Sequence, residues 1–153
     1  MLADLLPRTA DNRYPGHRLG LWFFALIPLK IVMGINVMIN APTVAQSADG
    51  IPISSLGPSG GRAFFFMFAA WGLCQLIFGL AALVVLLRYR SLVPLAFLAL
   101  FVEQIGRKLL HLQWPIEHVG TPAGVYINGA LLGILAVGLF LSLWRRRSEA
   151  GGA

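Results

Sequence analysis

Apolar residues arrive along this chain in four long runs, at 19–39, 63–87, 92–112 and 123–144, parted by short polar stretches. A helix rising 1.5 Å per residue needs about 20 such residues to cross ~30 Å of hydrocarbon, so each run has the length of a span. The first is interrupted only by Lys30 and Asn36, and it is too long for the apolar region of a secretory signal, which predicts an uncleaved first span. Within the second, Gln75 alone is strongly polar. The third crowds Glu103, Gln104, Arg107, Lys108 and His111 into its second half, and the fourth stops at Arg145, Arg146 and Arg147. Residues 40–62, rich in Gly, Pro and Ser, predict a loop, and residues 113–122 a second one, with Trp114 and Pro115 marking a helix end. Residues 88–90 form a tight connection. Residues 1–18 and 145–153 are polar tails outside the helical domain at 19–144.

Composition agrees with the pattern. Of 153 residues 58% are hydrophobic and 12% charged, and the mean hydropathy is +0.76. A soluble domain of this length cannot bury so much apolar surface, and about a quarter of its residues would be charged. The net charge of +6 does not point to nucleic acid, because the basic residues stand at the ends of the runs. Outside the runs, eight Lys and Arg lie in the two tails and the 88–90 turn, against Arg62 alone in the two longer loops. The positive-inside rule then places both termini and the short turn in the cytoplasm. The expected fold is an all-α membrane protein, a four-transmembrane-helix bundle in a cell (plasma or inner) membrane, with the lipid bilayer as its first partner.

The candidate chemistry is the set of polar groups inside the runs. Measured from the cytoplasmic ends, Lys30 and Glu103 both lie ~16 Å deep, Gln75 ~18, Arg107 ~22, Asn128 ~24, Asn36 ~26 and His111 ~28 Å. Glu103, Arg107 and His111 stand at i, i+4 and i+8 and so share one helix face. An ionised residue at a span centre costs roughly 2.5–3.5 kcal/mol on the insertion scale, so this stripe faces the bundle interior, with Glu103 between Lys30 and Arg107. Two accounts follow. One is an ion-pair network that sets helix register, with Lys108 reaching the interface. The other is an outward-opening polar pocket for a small anionic or amphipathic ligand, lined by Lys30, Asn36, Gln75, Glu103, Arg107, His111 and Asn128. No metal is called for, since His111 and His118 are a lone pair of imidazoles across Pro115, and no cofactor is identified.

Blander features complete the reading. Gly129 and Gly133 allow close helix approach, either between two copies or within one bundle. Trp22, Trp114 and Trp144, with Phe64, Phe65 and Phe66, read as interfacial aromatics. Cys74, without an intrachain partner, reads as an inert core thiol.

Residues 18–90 resemble the DoxX-like superfamily of small four-helix integral membrane proteins. Arg18, Leu19 and Gly20 enter the first span, Lys30 stands at its middle, and Gln75 opens a stretch ending at Gly79. An Arg and a Lys recur at those places in the family, where Gln75 usually has a carboxylate counterpart. The resemblance implies an accessory membrane subunit with a quinone-linked role. The function expected here is a membrane accessory or binding protein with a polar intramembrane pocket. Two alternatives stand beside it. One is a membrane enzyme acting on a quinone- or isoprenoid-type substrate, with Glu103 or His111 as acid–base group. The other is a structural subunit of a larger complex or homo-oligomer.

Overall fold

A computed structural model describes residues 5–144 of the protein, and all regular elements among them are helical. In chain order these are α1 (Arg18–Phe24), α2 (Leu29–Ile39), α3 (Ala41–Ser47), α4 (Gly57–Arg88), α5 (Val93–Gln113) and α6 (Ala123–Leu143), with short 3-10 turns at Ile53–Leu56 and Arg90–Leu92. Among the described residues three stretches are long and apolar enough to cross a membrane: Arg18–Ile39, Ile53–Arg88 and Ala123–Leu143. Helix α5 matches α6 in length at 21 residues, but its charged second half sets it apart from those three. The arginine triplet at 145–147 lies outside the described residues.

Three expectations about the extents of the elements need correction. The first run is not one helix, because residues 25–28 form a turn between α1 and α2. Pro28 is the cause: it has no N–H for the carbonyl of Phe24, and its ring would collide with that carbonyl in a continuous helix. The chain tightens instead, with Ile27 N–H donating to Phe24 O at 3.0 Å and Leu29 N–H to Leu26 O at 3.1 Å. The 40–62 segment is not simply a loop, since it folds into α3 and a 3-10 turn. Its last residues belong to α4, which begins at Gly57 rather than at residue 63. Proline in the first turn of α3 and of α4 favours a helix start instead of breaking one.

Glycines bring α2 and α4 together. A Cβ on Gly34 would lie 2.6 Å from Leu76 N and 2.7 Å from Gly72 O, and one on Gly79 would lie 2.8 Å from Ile31 N. The two backbones touch, so the azimuth of each helix is set at these points. Below this crossing, Phe24, Ile27, Ala82, Val93, Phe97, Leu100 and Leu135 form the apolar core, with the Phe24 and Phe97 rings edge to face at 5.0 Å. Gly138 fits against the Phe97 ring. Gly129 and Gly133 have nothing within 4 Å of an added Cβ, so packing within the bundle does not account for them. Cys74 is exposed on the outside of α4, not in the core.

The bundle has two distinct ends. At one, the amino-terminal tail is tied in: Asp11 N–H donates to Ser91 Oγ at 3.0 Å, and His17 N–H to Leu141 O at 3.0 Å. The tail, the α4–α5 turn and the end of α6 therefore share this end. At the other, the segment after α3 is laced to the α5–α6 loop. Val119 N–H donates to Gly50 O at 2.7 Å, Gly124 N–H to Ala48 O at 2.8 Å, and His118 Nδ1 lies 2.6 Å from Asp49 O.

Candidate functional site

The polar residues gather toward the end remote from the termini. Helix α2 buries one line of residues, Lys30, Gly34 and Val37, which is the i, i+4, i+7 line of a helix. Lys30 is thereby enclosed, with 2% of its surface exposed, and its Nζ lies 3.5 Å from Glu103 Oε2. Glu103 Oε1 lies 2.7 Å from Arg107 Nε one turn along α5. One carboxylate thus stands between two cations, as the matching depths of Lys30 and Glu103 lead one to expect.

Side-chain amides hold this group in place. Gln104, also 2% exposed, accepts from the Arg107 guanidinium and donates to Asn128 O and Oδ1, both at 3.2 Å. Asn128 in turn donates to Gly124 O at 2.8 Å. The guanidinium carbon lies 5.2 Å from the centre of the Trp71 ring, within cation–π range. Several donors nevertheless have no acceptor among the described residues. Trp71 Nε1 is buried and unpartnered, and Arg107 Nε touches the Glu103 charge without its N–H pointing along a hydrogen bond. Lys30 commits one of its three N–H groups, at the distance limit. The side chain of Gln75, buried on α4, makes no hydrogen bond within this group.

These donors share a cavity. A chamber of about 70 Å³ is lined by Lys30, Trp71, Gln75, Arg107 and Asn128, with Met33, Val37 and Leu131 among its apolar walls. Beside it lies a wider cavity of about 620 Å³ between α4, α5 and the start of α6. Trp71, Arg107, Asn128, Asp49 and Gly124 line both, so the second is the vestibule of the first. Its walls are largely apolar, with Ile51, Phe64, Phe68, Leu110, Ile116 and Val125, while Lys108 and His111 mark a polar rim. Asp49, in the loop after α3, has its carboxyl pushed above the ordinary range by burial, against the opposing pull of His118 and Arg107.

The expected site residues thus fall into three groups. Lys30, Gln75, Arg107 and Asn128 line the chamber, and Glu103 stands behind it as their counter-ion. His111 does not reach the chamber: it is exposed on the vestibule rim, its ring 5.6 Å from that of His118. Asn36 is not part of the site. It is exposed and pairs with Asn40 at 2.8 Å, because six residues turn the helix about 120° away from the Lys30 line. Trp71, Phe64, Phe68 and Asp49 were not expected there. The first three had a legible signal, since 64, 68, 71 and 75 stand at i, i+4, i+7 and i+11 on one face of α4. Asp49 had none, because a loop's position is not written in a period. The chain matches no family model, no curated protein and no solved structure.

Proposed function

We propose that this chain is a binding protein that spans a cell membrane four times, termini in the cytoplasm. It holds the anionic or acceptor-rich head of a small amphipathic molecule in the chamber and the molecule's apolar part in the vestibule. One observation carries the reading. Buried donors on two helices, Trp71 Nε1 and Arg107 Nε, have no hydrogen-bond acceptor among the described residues, Lys30 on a third commits only one of its three N–H groups, and all three side chains line one cavity. Buried donors require partners, and an acceptor-rich occupant supplies them. The apolar vestibule next to the chamber supports an amphipathic occupant over a free inorganic ion. The DoxX-like reading is proposed on the same residues. The fold sets Gly79 against Ile31 and brings Lys30 and Gln75 to one chamber.

The rival readings have less support. An enzyme needs a titratable group free to exchange protons with its substrate. Glu103 is held between two cations behind the chamber, and His111 is remote from it. A purely structural ion network accounts for the Lys30–Glu103–Arg107 contacts but leaves the unpartnered donors and the cavity without a purpose. The test is to purify the protein in mild detergent, extract it with organic solvent and identify retained amphiphiles by mass spectrometry. Arg107→Met should lose the retained species while still eluting as a folded particle. If the parent retains nothing and the variant fails to assemble, the register-setting network is the better account.

A further inference from the structure

The sizes and charges of the two cavities narrow the class of ligand. This step rests on the pocket reading above and goes beyond it. The chamber's about 70 Å³ holds two to three water-sized groups at ~30 Å³ each. A carboxylate has three heavy atoms and a phosphate five. The vestibule's about 620 Å³ holds roughly twenty such groups. That is one long alkyl chain, and about half of what a diacyl phospholipid brings.

Charge gives the same answer independently. Lys30 and Arg107 are positive and share the single carboxylate of Glu103. Asp49, which lines both cavities, and the exposed Lys108 of the vestibule cancel in formal charge. With histidines neutral, the site carries one net positive charge. In a low-dielectric surrounding an occupant with two negative charges leaves one uncompensated, and a neutral occupant leaves the protein's own excess unpaired. We infer that the ligand is a single-chain monoanion of the fatty-acid class, its carboxylate in the chamber between Lys30, Trp71 and Arg107 and its chain along Phe64, Phe68, Leu110 and Val125.

The test compares three probes with the same chain and different heads: oleate, oleyl phosphate and oleyl alcohol. Detergent-solubilised protein is immobilised, loaded with radiolabelled oleate, and the other probes compete at about pH 8, where the alkyl phosphate is doubly charged and histidine is neutral. Oleate should bind at least about tenfold tighter than either competitor. Asp49→Asn, a change outside the apolar helices, raises the net charge by one and should improve oleyl phosphate about tenfold relative to oleate. Glu103→Gln should act in the same direction. Dioleoylphosphatidylglycerol in the micelle, a monoanion with two chains, should not displace oleate. Displacement by it as effective as by unlabelled oleate overturns the single-chain assignment. If oleyl phosphate binds as well as oleate, or if Asp49→Asn leaves the ratio unchanged, the monoanion inference falls while the amphipathic pocket stands. If oleate does not bind, or binds equally well to folded Arg107→Met, both fall.

Discussion

Glu103 should matter far more to stability than Lys30, although the two form one ion pair. The asymmetry comes from the geometry. Glu103 Oε2 lies 3.5 Å from Lys30 Nζ and Oε1 lies 2.7 Å from Arg107 Nε. At an effective dielectric constant near 20, a charge pair at such distances attracts by ~5 kcal/mol, most of which desolvation offsets. Removing the shared anion leaves the buried Lys30 and the half-buried Arg107 to repel each other, and breaking a buried pair in this way costs roughly 3–5 kcal/mol. Glu103→Gln is therefore expected to lose about 3 kcal/mol. Lys30→Met removes an ammonium that is only 2% exposed and leaves Glu103 its closer partner, so its net cost should stay within about 1 kcal/mol. In the double variant Lys30→Met/Glu103→Gln the repulsion is gone, and stability should recover by about 1.5 kcal/mol or more over Glu103→Gln alone. Reversible unfolding in mixed micelles, followed by tryptophan fluorescence, gives all four corners of the cycle. A Lys30→Met loss larger than that of Glu103→Gln refutes the reasoning. So does a double variant whose loss equals the two single losses added.

Other expectations follow from single features. Gly72→Ala drives a Cβ to 2.9 Å from Gly34 O and should cost about 1–3 kcal/mol by the same unfolding assay, whereas Gly129→Ala, with open space around it, should be nearly neutral. With Cys74 replaced by Ser, single cysteines at Ser47 and Ser148 should react with impermeant reagent from opposite sides of the membrane, and reaction from one side refutes the four-span proposal. Asp49 carries a carboxyl held above its ordinary range. Folding therefore favours its protonated form, and stability falls as pH rises through the window from the ordinary carboxylate value to the raised one. Asp49→Asn should accordingly raise the melting temperature at neutral pH and lose that advantage in acid, below the ordinary carboxylate range. A variant less stable than the parent at pH 7 contradicts this.

Much of the site was legible because helical period and depth are local properties. The i, i+4 spacing of Glu103 and Arg107 put both on one face before any packing was known, and equal depth matched Lys30 to Glu103. The same arithmetic placed Asn36 at a suitable depth but gave no azimuth, and its azimuth excludes it. Trp71 was legible only in part. Its helical line with Phe64, Phe68 and Gln75 marks one face of α4, but hydropathy does not tell whether that face meets lipid or a cavity, and the buried, unpartnered Nε1 in the chamber wall decides it.

By itself the amino-acid sequence determined the class of molecule: long apolar helices, a charged stripe on the second half of α5, and basic residues gathered at the ends of the runs. These follow from the cost of moving each side chain into hydrocarbon, which depends on the residue and its near neighbours. Tertiary structure alone decided how each helix is turned and what space is left between them. The backbone contacts of Gly34, Gly72 and Gly79 set the rotation of α2 against α4, and with it the burial of Lys30 and Gln75. Loop hydrogen bonds carried Asp49 and His118 over the vestibule. A cavity is what remains after many packing contacts have been made, and no local stretch of sequence encodes that remainder.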